Sequence, residues 1–166
     1  MTARMFAQAP EGAMSDAEIE SLRDTAAVPM ERIAAFEKML NDRERTIDTL
    51  LAKPHRPAFA SDMHDAIAEF SGIADELNDN LDDYSKDMRD VRKALPKLIA
   101  ATERWATSLR AAGDDERYKV VRRIALDTLK DTHDLAVELQ DAQTKYAKDH
   151  PEWAKAELDR VTPRKQ

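Results

Sequence analysis

The residues of this 166-residue chain able to do chemistry are carboxylates and four imidazoles. Cysteine is absent, which excludes thiol nucleophiles, disulfides and thiolate metal sites. No Gly-x-Ser-x-Gly elbow occurs, and Gly12, Gly72 and Gly113 stand too far apart to make a phosphate loop. What remains is metal or ion chemistry. His55 and His64 flank a predicted turn, and Asp62 and Asp65 lie beside them. Together they could offer zinc or copper a mixed nitrogen and oxygen set. No histidine completes a Glu-x-x-His or His-Glu-x-x-His helical motif, so neither a di-iron nor a zincin site is indicated.

The second chemical feature is an acidic run. Asp62, Asp65, Glu69, Asp75, Glu76, Asp79, Asp82 and Asp83 follow one another without an intervening Lys or Arg. Asp75, Asp79 and Asp82 share one face of a predicted helix, with Asp83 beside them, and are the candidate interaction surface. An exposed helical carboxylate face lacks the converging loop oxygens of a dedicated calcium or magnesium site. Such a face is expected to meet basic side chains such as Arg43, Arg45 and Lys53 on a neighbouring helix.

These groups are positioned by helices. From Met63 to Leu109, alternating steps of four and three fall on apolar residues, with only Thr102 polar. That is an a/d seam, and it predicts one helix from Ser61 to about Ala112, roughly 70 Å long, kinked at Pro96. Ser61 and Asp62 are its candidate N-caps. Upstream, Ser15 and Glu18 form a capping box ahead of a seam running Ile19, Leu22, Ala26, Pro29, Ile33, Phe36, Leu40, Arg43, Ile47, Leu50. Pro29 marks either a kink there or the start of a fresh helix. Arg43, charged on the seam, calls for surface snorkelling or an acidic partner. Lys53-Pro54-His55-Arg56-Pro57 ends this stretch. Gly113 marks the next reversal, and a third helix spans about Asp115 to Lys148. Pro151 opens a short last helix to about Val161, with Trp153 and Leu158 facing inward.

The expected fold is all-α: an elongated antiparallel up-down-up three-helix bundle with coiled-coil-like packing, plus a short C-terminal helix. Residues 15–161 form its single domain, between a disordered segment 1–14 and a frayed tail 162–166. Charged residues at 36% and aromatics at 5% suit this class. A formal net charge of −7 argues against nucleic-acid binding, and no apolar run approaches the ~18 residues of a membrane span. The length of the central seam leaves room for a homodimer.

Ala7-Gln8-Ala9 fits the small-residue end of a signal peptide, though Met1 to Phe6 are too few for an apolar core before it. Residues Ile73 to Tyr84, Leu95-Pro96-Lys97-Leu98-Ile99 and Thr102 to Ala106 give the chain a resemblance to small, exported, all-helical bacterial proteins of uncharacterised function. The resemblance implies export to the periplasm or beyond, without activity or site residues. The expected role is a non-enzymatic interaction or structural module with a protein partner and no cofactor. The alternative is a periplasmic metal- or small-ligand-binding bundle.

Overall fold

The computed structural model describes residues 12–162. Ser15 opens the first helix, α1 (Asp16–Asp24), as the cap its spacing predicts. The Glu18 amide donates to the Ser15 hydroxyl, and the Glu18 carboxylate accepts from the Ser15 amide at 2.8 Å. A turn through Thr25–Val28 separates α1 from α2 (Pro29–Leu51). Pro29 stands at the first position of α2, where a missing N–H costs nothing. Of the two expectations for Pro29, the fresh helix is the one seen.

The predicted second helix is two helices: α3 (Phe59–Lys86) and α4 (Leu95–Ala111). Pro96 is not a mid-helix kink but part of the first turn of α4. The break lies at Met88, whose φ of 52° is left-handed. The Arg89 amide donates to the Tyr84 carbonyl at 3.0 Å and the Met88 amide to the Ser85 carbonyl at 3.4 Å. This is the Schellman pattern that ends many helices, built here without the usual glycine. The start of α3 also differs from expectation. Neither Ser61 nor Asp62 caps it, because the helix begins earlier, after a left-handed Ala58.

Gly113, at φ 75°, makes the expected reversal into α5 (Lys119–Asp149), which begins a few residues later than predicted. Arg122 explains the tightness of that corner. Its guanidinium donates to the Leu109 and Arg110 carbonyls at 2.7 and 3.1 Å, capping the end of α4. The last helix, α6 (Pro151–Val161), has the predicted bounds.

Four of the six helices among the described residues enclose the main core. Helix α3 packs on α2 and α5, and α4 packs on α5 and α2. Glu37 pairs with Lys97 and Glu44 with Arg104, so α2 and α4 run parallel, one heptad between rungs. Phe59 meets Tyr118 and Asn78 meets the Thr128 carbonyl, so α3 and α5 also run parallel. The hairpins α2–α3 and α4–α5 are antiparallel, as Arg43 to Glu69 and Thr102 to His133 show. The expected three-helix arrangement gives way to this four-helix core because the long seam is cut at Met88. Burial nevertheless follows the seam: every position from Met63 to Leu109 is buried except Met88, at 37% exposure. The upstream seam holds through α2 and at Leu22 of α1, but not at Ile19, which is 44% exposed.

Candidate functional site

The acidic face sits on α3 where that helix lies along α5. Asp75 is half-buried there, close to Asp79 on its own helix and to Asp131 on α5. Burial is the main cause that raises the Asp75 carboxyl above the ordinary 3.8; the charges of Asp79 and Asp131 push the same way, while the Thr128 hydroxyl opposes them. Of the basic side chains expected to meet these acids, Arg43 reaches one member of the run, Glu69, and none is paired with the face at Asp75, Asp79, Asp82 and Asp83. Arg43 binds Glu18 and Glu69, and Arg45 binds Asp42. Among the described residues, no Lys, Arg or His lies within ion-pair distance of Asp75, Asp79, Asp82, Asp83 or Asp131. Asn78, in the same stretch, keeps its buried Oδ1 without a donor.

A raised carboxyl pKa carries a sign for stability. The folded state holds the Asp75 proton more tightly than the unfolded chain, so ionising Asp75 destabilises the fold at neutral pH. That cost disappears as pH falls through the raised value toward 3.8. Asp75→Asn is therefore expected to raise the melting temperature at pH 7 by about 2 °C. Melts at pH 7 and pH 3.5 check this: the gain should vanish at the lower pH.

The other candidate residues stand at the α2–α3 turn. His55 and His64 are exposed. Asp62 pairs with Arg56, and the His64 Nδ1 is 3.1 Å from Asp65 Oδ1. Among the described residues, no three His, Asp or Glu side chains gather closely enough to hold a metal ion. The structure brings His64 to Asp65 and leaves His55 and Asp62 apart from that pair.

Two cavities carry polar groups that periodicity did not single out. The larger, about 580 Å³, lies under α1 and is lined by Met14, Ile19, Leu22, Ala26, Arg32 and Glu76 among others. The smaller, about 320 Å³, separates α6 from the start of α2 and the Asp87–Ala94 connection. Glu157 anchors α6 there, accepting from Arg89 and from the Asp90 amide, both at 3.0 Å. The Trp153 indole donates to the Met88 carbonyl at 2.9 Å, and Arg92 lies over its ring. Trp153 thus faces the body of the protein as expected, but Leu158 does not: it is 57% exposed at the cavity edge.

The α2–α4 interface also holds polar residues that the apolar seams could not reveal. Glu37 and Glu44 are buried there. Their spacing of seven matches that of Lys97 and Arg104, which was the available signal. Among the described helices, none is long and apolar enough to cross a membrane. The signal-peptide-like Ala7-Gln8-Ala9 lies outside the described residues, whereas Ala13, expected to be disordered, is buried, with its carbonyl bound by Arg43. Comparison with family models, with curated proteins and with solved structures gives no match for this chain.

Proposed function

We propose that the chain is a non-enzymatic helical bundle acting as a protein-interaction module, and that it presents the acidic α3–α5 face to a basic partner segment. The observation carrying this reading is the set of carboxylates at Asp75, Asp79, Asp82, Asp83 and Asp131, none of which has a cation of the described residues within ion-pair distance. Charge of one sign concentrated along a helical face steers an oppositely charged partner and sets its register. A Lys-rich amphipathic helix is the complementary chemistry, docking lengthwise beside α3 and α5.

The test is fluorescence anisotropy of a labelled Lys-rich amphipathic peptide titrated with the full chain. The comparison is between Asp79→Asn/Asp82→Asn/Asp83→Asn and a control, Asp149→Asn/Glu152→Gln/Asp159→Asn, carrying the same change in net charge. The expected result is at least tenfold weaker binding for the first variant and little change for the control. Equal weakening of both would mean that general charge attraction explains the binding, and the reading would fail.

A further inference from the structure

The end of the bundle where α6 rests carries a charge balance opposite to that of the whole chain. Two carboxylates, Asp90 and Glu157, line the cavity of about 320 Å³ there, and both are already served. Asp90 accepts from the Arg92 Nε and Nη2 at 2.9 and 2.8 Å. Glu157 accepts from Arg89 and the Asp90 amide, both at 3.0 Å, and from Arg160 at 3.2 Å. Burial pushes both carboxyls up, yet these hydrogen bonds outweigh it and hold them below their ordinary values. Lys93 and Lys155 line the same cavity, and no carboxylate of the described residues lies within ion-pair distance of either ammonium. Five positive charges (Arg89, Arg92, Lys93, Lys155 and Arg160) thus gather about two negative ones, in a chain whose formal net charge is −7. Glu152 and Asp159, also on α6, do not line the cavity.

The rest of the wall is apolar. Met30 of α2 and Ala154, Leu158 and Val161 of α6 contribute it. Leu158 lines the cavity while remaining 57% exposed, so the protein's own packing does not close the space. Positive charge beside low-dielectric walls focuses its field in the cleft and concentrates anions there. Both ammonium groups belong to exposed lysines, so solvent and ligand can reach them. Their flexible four-carbon stems can lie along apolar surface and carry the charge to the cavity mouth. The volume lies at the lower end of the roughly 300–1,000 Å³ of small-molecule pockets, which suits one short chain.

We propose that this cavity binds a small amphiphilic anion, its apolar tail against Met30, Leu158 and Val161 and its negative head at Lys93 and Lys155. Asp90 and Glu157, each held by arginine, offer no open counter-charge to a cation. The apolar wall gains nothing from a bare inorganic anion. The site is separate from the acidic face and does not depend on the interaction reading.

Octyl phosphate is the probe. Isothermal titration of the full chain with octyl phosphate should give saturable binding. Octan-1-ol, octyltrimethylammonium and inorganic phosphate should each bind at least tenfold more weakly, since the first lacks charge, the second reverses it and the third lacks a tail. Lys93→Gln/Lys155→Gln changes two exposed side chains and should weaken octyl phosphate at least tenfold. Lys53→Gln/Lys130→Gln carries the same change in net charge beyond the other end of α2 and within α5, and should leave binding nearly unchanged. In the unmodified protein, the methyl resonances of Met30 and Leu158 should shift as octyl phosphate is added, while those of Met14 and Ile19 at the larger cavity stay in place. Absent saturable binding, an octyl alcohol or ammonium that binds as tightly, equal weakening in the two double variants, or unmoved Met30 and Leu158 methyls would each overturn the proposal.

Discussion

Trp105→Ala is expected to lower the unfolding free energy by about 3–5 kcal/mol, the usual cost of removing a large buried aromatic side chain. Trp105 is fully buried on α4 at the centre of the four-helix core. Its ring stands edge-on to Phe70 of α3, with centroids 5.8 Å apart. Its indole N–H donates to the Asn41 Oδ1 of α2 at 2.9 Å. One side chain therefore ties α4 to two other core helices, and no neighbour can relax far enough to fill the hole it would leave. Trp105→Phe separates the two contributions. It keeps most of the ring but loses the hydrogen bond, and should cost about 1–2 kcal/mol. Urea unfolding followed by circular dichroism measures both. An alanine variant within 1 kcal/mol of the parent would contradict the placement of Trp105 in the core.

Arg43→Ala is expected to cost about 3–5 kcal/mol, because it strands a partly buried carboxylate. The Arg43 guanidinium pairs with Glu18 of α1, bonds Glu69 of α3 at 2.9 Å and donates to the Ala13 carbonyl at 2.7 Å. It thereby joins α1, α2 and α3, and it resolves the charged position on the α2 seam as a pairing rather than a snorkel. The hydrogen bond from Arg43 is the main cause that pulls the Glu18 carboxyl down from 4.5 to about 2. The folded chain thus holds this proton less tightly than the unfolded chain. The associated stability is present above pH 4.5 and is lost as pH falls through about 2. Arg43→Ala should therefore be less stable at pH 6 and lose less on acidification. Replacing Arg43 and Glu18 together by leucine should recover part of the loss, since the more buried carboxylate is then gone and only the more exposed Glu69 is left without this partner. Urea midpoints at pH 6 and pH 3 test the pair of expectations; parallel acid losses in Arg43→Ala and the parent would refute the linkage.

The helical class, the Ser15 cap of α1 and most buried positions were legible in the chain, whereas the expected caps Ser61 and Asp62 lie inside α3. Ser15 and Glu18 identify the start of α1, Pro29 and Pro151 fit the first positions of α2 and α6, and Gly113 identifies the last reversal. Nearly every heptad-spaced seam position from Met63 to Leu109 is buried, because burial on a helix depends on which face a residue occupies, although Ala66, Ser71, Gly72, Ile73 and Ala101 are buried beside the seam. The same spacing misled on continuity. Eight residues, Asp87–Ala94, connect α3 to α4, and the apolar pattern crosses them in phase. A periodic pattern reports which residues are inside, and Val91 is inside while lying in no helix.

The acidic face was visible as composition, but its lack of counter-charge was not. Lys and Arg residues are plentiful nearby in the sequence, and only the folded geometry shows Arg43 committed to Glu18 and Glu69 and Arg45 to Asp42, away from Asp75, Asp79, Asp82 and Asp83.

By itself, then, the sequence determined the helical class, the starts of α1, α2 and α6 and, along most of α2 to α4, the side turned inward, since these depend on neighbours three or four residues away. Tertiary structure alone decided where the longest seam is cut. The buried Gln143 of α5 accepts from the Val91 amide at 3.0 Å and donates to the Arg89 carbonyl at 2.7 Å, while Glu157 of α6 takes the Asp90 amide. Those backbone groups would otherwise have to be paired within a continuing helix. Their partners lie more than fifty residues away, which is why no local pattern announces the break or the four-helix core it creates.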